Sequence, residues 1–216
     1  TGENKVGKGK VIWGKTPGEV LSLLGIQPDF TFSSVYPDSH IEFIHRYTAE
    51  EDIYFLVNRL ARHGINDTKY RYLTGLPDRY EEVNCRFRIT GKVPGLWDPA
   101  TGKIEKIAVY REENGSTIVP LHLNPEGSVF VVFSDKKAEK HIVRVDKEHV
   151  NMFPDIRPVV SSFPAFDIFR NGNTFLGLFN EPGKYGIQWS DGTKSEFWVE
   201  DQATIKVISS PWLLQF

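Results

Sequence analysis

The chain has 216 residues, 40% of them hydrophobic and 25% charged, and a formal net charge of −2. This is enough apolar sequence for a folded core in one large or two small domains, which excludes a disordered chain. Near-neutral charge without a long block of Lys or Arg argues against nucleic acid and anionic membrane as partners, and no apolar run reaches the roughly 20 residues of a membrane-spanning helix.

In chain order, Gly7–Gly14 reads as a short strand behind a Gly turn. Its Gly-x-Gly precedes the strand, whereas a phosphate loop must follow one and open a helix. Thr16 to Gly25 reads as a helix, with Thr16 as N-cap, Pro17 in the first turn, Glu19 completing a capping box and Gly25 as the stop. From His40 the apolar period becomes two. His40–Tyr47 and Asp52–Asn58 form a predicted hairpin around Thr48-Ala49-Glu50-Glu51, and the charged stretch Leu60–Arg79 reads as a long surface loop.

The most informative stretch runs from Trp97 to Phe133. Predicted strands at Glu82–Thr90, Ile104–Arg111, Ser116–Leu123 and Ser128–Phe133 are separated by turns at 91–94, 100–102, 113–115 and 124–127. After a charged link at 134–137, a second set is expected at His141–Val145, Phe166–Arg170, Thr174–Phe179, Gly183–Trp189, Lys194–Glu200 and Ala203–Ile208. Asp191-Gly192 marks the strongest hairpin signal, and its spacing places Trp198 opposite Tyr185.

The expected fold is therefore mainly β: antiparallel β-sandwich units of jelly-roll or other Greek-key type, with a short N-terminal strand-helix remnant of an α/β domain. The expected division is 1–30 as the tail of an upstream α/β domain, 31–135 as a β-sandwich, 136–208 as a second small all-β unit, and 209–216 as the first strand of a truncated downstream sandwich. No starting Met is present and Pro211–Phe216 is apolar, so both ends read as cuts inside a longer polypeptide, with any export signal in the missing part.

Candidate chemistry is sparse. Sugar hydrolysis needs two carboxylates roughly 5 to 10 Å apart, but Glu50, Glu51, Asp52, Glu112, Glu113, Asp191 and Glu200 fall in turns or exposed strand positions. The six histidines form no His-Glu-x-x-His motif, and His40 and His45 point to opposite faces of one predicted strand. No catalytic residue, metal ligand or cofactor is expected, and no Asp-x-Asp-x-Asp-Gly loop supports a Ca²⁺ site. Cys85 reads as a small buried side chain within a strand. Trp97, Tyr110, Trp189 and Trp198 are carbohydrate-binding candidates, because sugars stack their C–H faces on aromatic rings. Each has an equally physical reading as core filler between sheets.

Three segments, Gly7–Gly14, Ile44-His45-Arg46 with Asp52–Asn58, and Leu96-Trp97-Asp98-Pro99-Ala100-Thr101-Gly102 through Phe133, resemble the non-catalytic accessory region of large bacterial glycoside hydrolases of the α-L-rhamnosidase type, family 106. The closing Pro211–Phe216 is similar to the first strand of a further sandwich, and residues 136–208 match more loosely, through Pro182-Gly183-Lys184-Tyr185 and Asp191-Gly192. The resemblance implies an accessory region of a polysaccharide-degrading enzyme. The family's acid and base lie on an upstream barrel and are carried onto no residue here. Its implied partners are the catalytic domain of the same polypeptide and a plant-type oligosaccharide or polysaccharide, and its implied location is periplasmic or secreted. An autonomous carbohydrate-binding module and a purely structural spacer are the alternative readings.

Overall fold

A computed structural model describes residues 1–59, 80–134, 139–155, 164–171 and 174–201. The expected loop at 60–79, most of the charged link, the expected strand at 203–208 and the closing hexapeptide lie outside the described residues.

The chain opens with β1 (Gly2–Val6) and β2 (Gly9–Trp13), an antiparallel hairpin, followed by α1 (Pro17–Leu23). The Thr16 side chain accepts from the Glu19 backbone N–H while the Glu19 carboxylate takes the Thr16 N–H, so the capping box forms as the sequence predicts. Gly25 ends the helix at φ +71°, a conformation that costs glycine little. Sequence reading found β2 and missed its partner β1.

Next come β3 (Phe30–Ser33), β4 (Ile41–Tyr47), β5 (Glu51–Asn58), β6 (Glu81–Phe87), β7 (Val93–Trp97), β8 (Ile104–Lys106), β9 (Arg111–Glu113), β10 (Ser116–Leu123) and β11 (Ser128–Ser134). They form a four-stranded sheet, β3-β6-β10-β9, and a five-stranded sheet, β4-β5-β11-β7-β8, with antiparallel neighbours throughout. Between the sheets lies a core that includes Phe30, Tyr54, Leu56, Cys85, Phe87, Val119, Val131 and Phe133. This is the expected antiparallel sandwich.

Two details differ from the expected strands. The segment expected as one strand from Ile104 to Arg111 is two: β8 belongs to the five-stranded sheet and β9 to the four-stranded one. Between them Ile107 bridges to Phe169 and Val109 to Ile142, so the chain changes sheets while paired to other elements. Residues 93–94, expected as turn, open β7 instead. Pro94 is buried there opposite Phe133, and its carbonyl accepts from the Ile107 N–H.

The remaining strands are β12 (Ile142–Lys147), β13 (Val150–Phe153), β14 (Phe166–Asn171), β15 (Thr174–Phe179), β16 (Gly183–Trp189) and β17 (Lys194–Val199). They form a four-stranded sheet, β13-β12-β16-β17, and a hairpin, β14-β15. The Asp191-Gly192 hairpin forms, but Trp198 pairs with Lys184 and Phe197 with Tyr185. A one-residue change of register exchanges the faces of a strand. Phe197 therefore packs against the core and Trp198 is 65% exposed.

A second core, centred on Ile142, Val145, Phe153 and Tyr185, also takes in Ala108, Val109 and Ile118. Adjacent residues of β10 thus serve two cores: Val119 faces the sandwich interior and Ile118 faces the second cluster. The same outer face carries Asn84, whose amide donates to the Pro154 carbonyl.

Candidate functional site

The crossing segment after β8 brings Tyr110 beneath β12 and beside the end of the five-stranded sheet. The Tyr110 N–H donates to the Ile142 carbonyl at 3.0 Å, and the Ile142 N–H donates to the Ala108 carbonyl at 2.9 Å. Tyr110 and Trp97, from the last position of β7, line one cleft of about 320 Å³ together with Lys106, Glu139, His141, Arg170 and Phe175. Two of the four predicted sugar-binding aromatics are therefore neighbours in space.

The cleft's polar groups are fixed by their partners. The His141 ring stacks on Tyr110, with centroids 3.8 Å apart and planes 8° from parallel. Its Nδ1 lies 2.9 Å from the Glu139 carbonyl. A carbonyl only accepts, so Nδ1 carries the proton and Nε2 of the neutral ring is an acceptor. Burial is the main cause that lowers the His141 pKa, which favours this neutral form. Burial likewise raises the Tyr110 hydroxyl to about 12, so it stays protonated. The Glu139 carboxylate takes a hydrogen bond from Lys106 at 3.1 Å and pairs with Arg170. The Lys106 hydrogen bond is the largest of the effects holding its pKa below the ordinary value.

Phe175 connects this cleft to a wider groove of about 810 Å³ beside β15 and β17, which Trp189 and Trp198 line. Phe175 packs edge-on to Trp189 at 4.8 Å, and the Trp189 indole N–H donates to the Ser195 hydroxyl at 2.9 Å. Lys140 sits 4.9 Å above the Trp189 ring and is bridged to Asp191 at 2.8 Å. Trp97 and Trp189 are half-buried and Tyr110 is buried, which leaves Trp198 the most exposed of the four.

Among the turn and strand acids that the sequence picked out, Asp52, Glu112, Glu113 and Asp191 are engaged in local contacts. Asp52 meets His45 at 3.0 Å and Lys92 at 3.1 Å, and Glu113 meets Arg111 at 2.9 Å. Glu112 accepts from the Gly91 N–H at 2.8 Å. Among the described residues, no three His, Cys, Asp or Glu side chains come together as a metal-holding group. Sequence reasoning missed His141, Arg170 and Phe175 as cleft residues. The nearest signal was the aromatic and basic content of the predicted strands that hold them.

The α-L-rhamnosidase family model, glycoside hydrolase family 106, matches residues 1–112. A Formosa agariphila protein provisionally named a β-glucuronidase is 35% identical over 136 residues, which is 60% of this chain and 10% of that protein. The solved structure of a rhamnosidase from Novosphingobium sp. PP1Y superposes with a TM-score of 0.51 at 26% identity, covering 86% of this chain and 17% of that one. The chain spans well under a fifth of either protein's length.

Proposed function

The chain belongs to the α-L-rhamnosidases of glycoside hydrolase family 106, and on that premise we propose that it is a non-catalytic accessory region of a polysaccharide-degrading enzyme. It positions the catalytic domain of the same polypeptide and offers the Trp97–Tyr110 cleft to carbohydrate. The division at residues 31–135 and 136–208 belongs to the same proposal, as does a periplasmic or secreted location. No described helix is long and apolar enough to cross a membrane.

The observation that carries this reading is the state of Glu139. Glycoside hydrolysis asks one carboxyl to hold a proton at working pH, through a raised pKa. Glu139, which lines the cleft with Glu51 and Glu105, is instead held below its ordinary pKa, first by the Lys106 hydrogen bond, and is also paired with Arg170. What the cleft offers is ring faces and fixed donors and acceptors, which suit binding and orientation. The shared strand β10 supports the positioning role, since it ties two cores into one body.

The test is titration with a rhamnose-containing oligosaccharide, followed by tryptophan fluorescence. Saturable binding lost in Trp97→Ala is expected. No response, or binding indifferent to that substitution, would overturn the carbohydrate role of this cleft. The exposure of Trp198 beside Trp189 favours a second reading, an autonomous carbohydrate-binding module. Loss of binding in Trp198→Ala, with Trp97→Ala unaffected, would mark that case.

A further inference from the structure

A second cavity of about 320 Å³ lies between the outer face of β6 and β10 and the strand β14. His122 points into it because its neighbours Leu121 and Leu123 face the sandwich core. Glu82 stands directly opposite His122 in the β6–β10 pairing, and their Oε1 and Nδ1 atoms are 2.8 Å apart. The Tyr80 ring stacks on the imidazole at 5.3 Å. Side-chain position, tilt and tautomer are therefore all set: an ionised carboxylate only accepts, so Nδ1 carries a proton.

The other ring nitrogen, Nε2, is buried and has no hydrogen-bond partner among the described residues. Whether it presents a lone pair or an N–H, a buried polar atom in that state carries an unmet desolvation cost, and such atoms mark places where something binds. Asp167 lines the same cavity. Its pKa is raised, first by burial and then by Glu105, and is pulled the other way by Lys103 and His122. The lining also includes Val129, Phe166 and Phe169.

We propose that this cavity is a binding site for a neutral, monosaccharide-sized polyol ring, one hydroxyl of which bonds to Nε2 of His122. A hydroxyl both donates and accepts, so it satisfies the nitrogen in either protonation state. The apolar wall suits the C–H face of a ring. Glu82, Glu105, Asp155 and Asp167 all line the cavity and repel an anion, while Lys106 in the lining offsets part of their charge. Residues 105–108 line both this cavity and the Trp97 cleft, but His122 lines only this one, so the inference stands whether or not that cleft binds sugar.

The experiment follows the His122 ring nitrogens by ¹⁵N NMR of the full chain during titration with L-rhamnose, methyl α-L-rhamnoside and D-glucose, with D-glucuronate and D-glucosamine as charged probes. The proposal expects a saturable shift of Nε2 with at least one neutral sugar and weaker binding of both charged probes. Affinity for the neutral sugar that shifts Nε2 should fall about tenfold or more in His122→Phe. A wild-type Nε2 signal indifferent to every neutral sugar, as when only a water fills the cavity, overturns the proposal even if His122→Phe does not fold. Preference for glucuronate or glucosamine overturns the chemistry assigned.

Discussion

The imidazole of His141 lies flat on the phenol of Tyr110, 3.8 Å between ring centroids, with Tyr110 buried and His141 half-buried against it. Burial lowers the folded-state pKa of His141 below its ordinary value of 6.5. The folded protein therefore binds fewer protons here than the unfolded chain. The resulting stability is present above the unfolded pKa and is lost as pH falls through the folded one. Urea unfolding at a series of pH values from about 7.5 down to about 5 should show stability declining with acidification. The decline should be shallower in His141→Gln, and identical slopes would contradict the assignment.

Ile118 and Val119 are adjacent on β10 yet buried in different cores. Truncating either leaves a cavity, so Ile118→Ala and Val119→Ala should each cost about 2 kcal/mol or more. Because the strand is shared, both should shift the same cooperative thermal transition in tryptophan emission. Two transitions, each sensitive to only one substitution, would show that the cores melt independently.

Cys85 is fully buried on β6, and burial pushes its thiol pKa far above the ordinary value. A disulfide exchange reagent should leave the native chain unlabelled and titrate one thiol in urea. Prompt labelling of the native protein would contradict this.

The register of the β16–β17 hairpin is measurable through two neighbours. Phe197→Ala should lose about 2 kcal/mol of stability, as a ring packed against Tyr185 and Phe179 does on truncation. Trp198→Ala should stay within about 0.5 kcal/mol, because its side chain faces solvent. The reverse ranking would restore the pairing expected from sequence.

That hairpin also shows where sequence reading stops. Asp-Gly announces the turn, but the Trp189 N–H bonds to the Thr193 carbonyl and the strands resume pairing at Gln188 with Lys194. One residue of loop closure decides which ring is buried, and composition does not encode it. The β4–β5 hairpin was legible because two runs rich in aromatic and β-branched residues flank a polar turn, and they pair at seven positions. β3 and β13 were not, being four residues each and too short to display a period. Trp97 and Tyr110 were recognisable as aromatics with a choice of roles. Their meeting was not, since it depends on residues 107–110 leaving one sheet for another. The His122 cavity was hidden for the same reason: Glu82 and His122 are forty residues apart and meet only through sheet pairing.

The proposed role has this chain assist sugar cleavage without performing it. The most direct measurement is release of the aryl group from an aryl α-L-rhamnoside and an aryl β-glucuronide by the purified chain, alongside its Asp167→Asn and Glu105→Gln variants. Asp167 has its pKa raised, first by burial and then by the charge of Glu105, the direction a general acid needs. Release at the buffer rate by all three proteins is the predicted result; turnover by the unaltered chain that vanishes in either variant would contradict it.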